Sequence, residues 1–150
     1  MSPARQKTDG RKSRPKAKSL GRIVVVEDDA VLALALEDAL LAAGASEVVL
    51  CPSTARALEA LEEADAAAIV IDVHLADRDD GWALAELVNE LGPRHPRIIF
   101  STGSPEAIPP EIAGMGLMLE KPYDPVRLAE ALASGTPKVG LLARLRGAVS

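Results

Sequence analysis

The chain has 150 residues, long enough for one domain with a real core, and carries a single cysteine, two histidines and a formal net charge of −5. Cys51 alone excludes an internal disulfide, and two histidines are too few for a Cys/His zinc site. No apolar run reaches membrane-spanning length and the polar, basic start has no apolar signal core, so no membrane partner and a cytoplasmic location are expected.

Residues 1–20 carry Arg5, Lys7, Arg11, Lys12, Arg14, Lys16 and Lys18 against Asp9 alone; that net +6 leaves −11 on the remainder. The stretch reads as a disordered basic extension with almost nothing to bury, able to touch an acidic partner or nucleic acid. The acidic body does not suit nucleic acid, and Phe100, Trp82 and Tyr123 are its only aromatics for base stacking.

RIVVV (22–26) is a continuous apolar run, as in a strand buried on both faces, and it runs straight into Glu27, Asp28 and Asp29. AVLALALEDALLAAG (30–44) predicts a helix that Gly44 stops. EVVLC (47–51) predicts a short strand, and STARALEALEEA (53–64) a helix capped by Ser53 or Thr54. AAIVIDV (67–73) is a second buried-type strand, DGWALAELVNEL (80–91) a helix ending at Gly92-Pro93, and RIIFS (97–101) a fourth strand. The rhythm then falters: GSPEAIPPEIAGMG (103–116), with three prolines and three glycines, leaves room for one short helical turn. LMLEK (117–121) predicts the fifth strand, and DPVRLAEALASG (124–135) a helix with Asp124 at its cap and Pro125 in its first turn. Residues 135–150 read equally as a short amphipathic helix or a frayed tail.

Five strand–helix alternations predict an α/β fold, a parallel sheet covered on both faces, whose function gathers at the carboxyl ends of the strands. Those ends carry Glu27 and Asp28, Asp72, Ser101 and Thr102, and Lys121. Carboxylates crowded together repel, but around a hard divalent cation such as Mg²⁺ they become ligands. A carboxylate inside a central strand, Asp72, can attack a phosphoryl group, with Lys121 and the Thr102 hydroxyl available for the phosphoryl oxygens. In the free site at least one of Glu27, Asp28 and Asp72 should have a raised pKa. Each residue also has a plainer reading. Asp28 or Asp29 can be a helix cap, Thr102 can start a turn, Lys121 can be a surface lysine, Trp82 can be packing and Cys51 a small apolar filler.

In order along the chain, VVVEDD, IVIDVHL, DG at 80–81, FSTG and LEKPY resemble the receiver domain of bacterial response regulators, over about residues 21–134. The resemblance implies a flavodoxin-like three-layer sandwich with strand order 2-1-3-4-5. It implies a phosphoacceptor at Asp72, loaded by a sensor histidine kinase or a histidine phosphotransfer protein. Mg²⁺ would be held by Glu27, Asp28, Asp72 and the backbone carbonyl of His74, with Thr102 and Lys121 completing the site. It further implies a cis Lys121-Pro122 bond, and self-catalysed loading and loss of the phosphoryl group rather than turnover catalysis.

The chain departs from the family pattern in three places. The loop LADRDDG is one residue longer than the common spacing, acidic, and has Ala76 where proline is usual. Met118 replaces the usual aromatic of the fifth strand. The fourth helix is cut short, which is similar to a subgroup of single-domain receivers with a FATG-type motif. No output domain follows in the remaining residues, so the expectation is a stand-alone receiver acting as a relay component or through a downstream protein partner. The alternative is a pseudo-receiver, an interaction module that accepts no phosphate. Other Mg²⁺ chemistries fit less well, because toprim-type and haloacid-dehalogenase-type sites want an Asp-x-Asp that Asp72-Val73-His74 does not supply. A flavodoxin proper would set its flavin phosphate against Glu27, Asp28 and Asp29.

Overall fold

The structure, a computed structural model, describes residues 19–73, 78–91 and 95–134, with the backbone alone at 78–81. The basic extension up to residue 18, His74, and the amphipathic stretch after residue 134 lie outside the described residues. Five strands alternate with helices: β1 (Gly21–Val26), α1 (Ala30–Ala42), β2 (Ala45–Cys51), α2 (Thr54–Glu63), β3 (Ala68–Asp72), α3 (Arg78–Asn89), β4 (Arg97–Thr102), a 3₁₀ turn (Pro105–Ala107), α4 (Pro110–Ala113), β5 (Leu117–Glu120) and α5 (Pro125–Ala133). All strand pairs are parallel and the sheet order is β2-β1-β3-β4-β5. This is the flavodoxin-like order expected, with β3 at the centre.

Alternation along the buried strands divides the core into two layers. Val24, Val26, Ile69, Ile71, Ile98 and Phe100 face α2 and α3, while Ile23, Val25, Val70 and Ile99 face Leu36 and Leu40 of α1 and Leu128 and Leu132 of α5. This explains why β1, β3 and β4 read as unbroken apolar runs: both of their faces are covered. β2, at the sheet edge, is covered less and mixes Ser46 and Glu47 with Val48 to Cys51.

Element ends follow local chemistry. Asp29 caps α1, its side chain accepting from Val31 N and Leu32 N. Ser53 rather than Thr54 caps α2, and Asp124 caps α5 with Pro125 in the first turn. Gly44 closes α1 at φ +114°, a left-handed conformation that a Cβ would strain.

Three places differ from the sequence expectation, the first being α3, which runs Arg78–Asn89 where 80–91 was expected. β2 starts at Ala45, because Gly21 pairs with Ala45 before an irregularity carries Arg22 onto Glu47. The 103–116 stretch forms two short pieces where one was expected. Pro105 opens the 3₁₀ turn, and Pro110 opens α4, whose four residues end at Gly114. These pieces still bury Ile108 and Ile112 against the α2–α3 layer of the core.

Candidate functional site

Strand register brings the predicted residues together. Val26 is paired with Ile71, so Glu27 and Asp72, one residue on, emerge side by side at the carboxyl edge. Asp72 pairs with Ser101 and Thr102 with Glu120, which brings Lys121 to the same edge from the far side. Glu27 is 4% exposed, Asp72 1% and Thr102 2%, whereas Asp28 is exposed. Burying two carboxylates side by side is costly unless positive charge meets them.

Part of that charge is Lys121. Its Nζ lies 3.2 Å from Asp72 Oδ1 and 3.5 Å from Glu27 Oε1. Burial pulls the ammonium pKa down, but the attraction of Asp72 and Glu27 outweighs it and the net shift is upward. One ammonium does not balance the site. Glu27 is pushed up to about 7, first by burial and then by its hydrogen bond to Asp72 and the Asp72 charge, against opposing pulls from the Asp29 N–H and Lys121. Asp29 N donates to Glu27 Oε2 at 3.1 Å, while Glu27 Oε1 is buried without a hydrogen-bond partner among the described residues. One carboxylate oxygen from each of Glu27, Asp28 and Asp72 lies within 4.8 Å of the others. Three hard oxygen donors, one of them buried and unsatisfied, fit a small divalent cation.

Thr102 lies at the end of β4 with its Oγ1 accepting from Ser104 N at 2.9 Å, and its carbonyl accepts from Lys121 N at 2.7 Å. The Lys121-Pro122 bond is cis. Asp29 is spent on the α1 cap and is not among the clustered acids. The sequence reading of Trp82 and Cys51 as core contributors agrees with their positions: Trp82 packs half-buried against the α2–α3 layer, and Cys51 is buried within it.

One polar pair at this edge carries no sequence motif. Ser101 is fully buried, and its Oγ lies 2.9 Å from the Tyr123 hydroxyl. Its only signal was a serine amid an apolar strand and a tyrosine two residues after Lys121.

The profile of the response regulator receiver domain family matches residues 23–133. Among solved structures, a CheY-like receiver domain from Methylobacillus flagellatus is 26% identical, with a TM-score of 0.67 over 77% of this chain and 98% of that one. The receiver domain of the TMAO respiratory system regulator TorR is 25% identical, with a TM-score of 0.66 over 83% and 98%. The receiver domain of the sensor histidine kinase PA1611 from Pseudomonas aeruginosa PAO1, with a magnesium ion coordinated in its active site cleft, is 25% identical, with a TM-score of 0.63 over 77% and 98%. No curated protein sequence matches the chain. Among the described residues no helix is long and apolar enough to cross a membrane. Sheet order, edge chemistry and family profile agree, and the chain belongs to the response regulator receiver domain family.

Proposed function

We propose that this chain is a phosphoacceptor of two-component signalling, in which Asp72 takes a phosphoryl group from the phosphohistidine of a sensor histidine kinase or a histidine phosphotransfer protein. The observation that carries the reading is Asp72 itself. It is a 1%-exposed carboxylate at the end of the central strand, with Lys121 at 3.2 Å and Glu27 and Asp28 within metal-sharing distance. In the transfer, an Asp72 oxygen attacks phosphorus and an O–P bond forms as the N–P bond breaks. The electron pair of the broken bond returns to the imidazole, and the product is an aspartyl phosphate.

Glu27, Asp28 and Asp72 are the residues that would hold Mg²⁺, with the His74 carbonyl as a further ligand. The ion would neutralise the charge that otherwise repels an incoming phosphoryl group. Lys121, already on Asp72, is placed to turn to a phosphoryl oxygen, and the Thr102 hydroxyl to donate to another once it leaves Ser104 N. Residues 21–134 are the acting unit, and the loaded state is read by a downstream protein or passed on in a relay.

Incubation with acetyl phosphate and Mg²⁺ tests this. The expected product is an acid-stable, hydroxylamine-labile adduct of one phosphoryl group, present in wild type and lost in Asp72→Asn. No adduct, or equal labelling of the variant, would instead favour an interaction module that never accepts phosphate.

A further inference from the structure

Tyr123 lies outside the set of residues that meet at the edge, yet its hydroxyl reaches back into the sheet. Ser101, its partner, has no solvent access and is paired in register with Asp72. The Ser101 carbonyl accepts from Val73 N at 3.2 Å, so β4 is bonded to β3 just beyond Asp72. The Tyr123 ring packs on the layer formed by α1 and α5, and the next residue, Asp124, is fixed as the α5 cap. The four residues from Lys121 to Asp124 are thus held at three points: the Lys121 N–H on the Thr102 carbonyl, the Tyr123 hydroxyl on Ser101, and the Asp124 carboxylate on Val126 N.

The outer two anchors belong to the sheet and to a helix cap. The middle one exists only because this chain has a serine at 101 and a hydroxyl at 123. We propose that Tyr123 is a positioning residue: through Ser101 it ties the segment after Lys121 to β4 and so keeps the Lys121 ammonium on Asp72. The consequence for the reaction rests on the phosphoacceptor reading above, whereas the tether itself does not. A burial role alone would be filled equally by phenylalanine, because the ring would still pack on the α1–α5 layer of the core. The hydroxyl is what spans to Ser101.

Tyr123→Phe, Ser101→Ala and the double variant separate the two roles in the full chain. The hydrogen-exchange protection factor of the Lys121 amide, divided by that of Val70 in the central strand, reads the tether without any phosphoryl chemistry. Loss of one hydrogen bond should lower that ratio about fivefold in each single variant. In the double variant the ratio should stay low, although overall stability recovers, since removing both partners leaves no buried orphan. The rate of Asp72 labelling by acetyl phosphate should fall by a similar factor, with the Mg²⁺ dissociation constant unchanged. A wild-type Lys121 ratio in both single variants, or losses that simply add in the double, overturns the tether. A lowered ratio with an unchanged labelling rate overturns the positioning role. If wild type takes no label, the phosphoacceptor reading fails with its catalytic consequence, and the exchange ratio still decides the tether.

Discussion

Glu27→Gln is the most informative single change at the carboxylate cluster. In the folded chain the Glu27 carboxyl titrates at about 7 against an ordinary 4.5. The native state therefore holds a proton that the unfolded chain has released between those two values, and native stability falls as pH rises through that window. Below 4.5 both states are protonated and the group contributes nothing. Above 7 the full penalty is present, up to about 3 kcal/mol at 1.36 kcal/mol per pH unit. Lys121, shifted upward, contributes stability that is lost only above its own alkaline range, and does not mask the effect. Glutamine keeps the shape and removes the charge, so in EDTA at pH 8 the variant should be more stable than wild type by up to about 3 kcal/mol. At pH 4.5 the two should be nearly equal. Mg²⁺ narrows the advantage: at a hundredfold excess over its dissociation constant it stabilises wild type by about 2.7 kcal/mol, and the variant, one charge poorer, by less. Urea unfolding followed by Trp82, the single tryptophan, at both pH values with EDTA or Mg²⁺, gives all four comparisons. A variant no more stable than wild type in EDTA at pH 8, or equally favoured at both pH values, would refute the assignment of Glu27 as the strained member of the cluster.

Further outcomes follow from other parts of the structure. Asp29→Ala should cost about 1 kcal/mol through loss of the α1 cap, with the Mg²⁺ response intact; a lost response would move Asp29 into the metal site. Gly116→Ala would put a Cβ 2.2 Å from the Ile98 backbone oxygen, where β5 begins beside β4. Backbone must move to accept it, so a loss of about 3 kcal/mol or more in urea unfolding is expected. Amides 103–116 should exchange fast in the free chain and gain protection with beryllofluoride and Mg²⁺. Unchanged exchange there would exclude ordering of this segment as part of the response.

What the sequence revealed, and what it hid, follows from how far each signal reaches. Strand identity was legible because β1, β3 and β4 are covered on both faces and need apolar side chains at every position. Glu27 and Asp72 were legible for the same reason, since an acid directly after such a run falls on the carboxyl edge. The raised pKa at the cluster was also foreseeable from three acids sharing one edge, though which carboxyl would bear it depends on burial: Glu27 is enclosed and Asp28 is exposed. The division of labour between Asp28 and Asp29 turned on cap geometry, which both residues could have satisfied in sequence. The Ser101–Tyr123 bond was not legible. It depends on how the chain turns after Lys121, and a tyrosine in that place serves as well for packing as for hydrogen bonding.

The shortened fourth helix bears on how this chain can respond at all. A right-handed crossover from β4 to β5 must cover the sheet face between them. Here the cover is made by Ile108 and Ile112, with Met115 and Met118 packed against the same layer. Met118 thus occupies ground where an aromatic was expected, and a flexible side chain there repacks without a discrete pair of positions. An aromatic is absent from the fifth strand, so under the proposed function a signal from Thr102 would have its most direct covalent route into the segment that follows it. There Ser104 N already donates to the Thr102 hydroxyl. Moving that hydroxyl to a phosphoryl oxygen would release Ser104 N to a new partner at the entry to a stretch held by one 3₁₀ turn, four helical residues and two buried isoleucines. Few buried apolar contacts mean a low cost of local opening. A lightly held segment is therefore joined directly to the carboxyl edge, and on the phosphoacceptor reading the gain in protection on beryllofluoride binding should begin at Ser104 and fade toward Gly116.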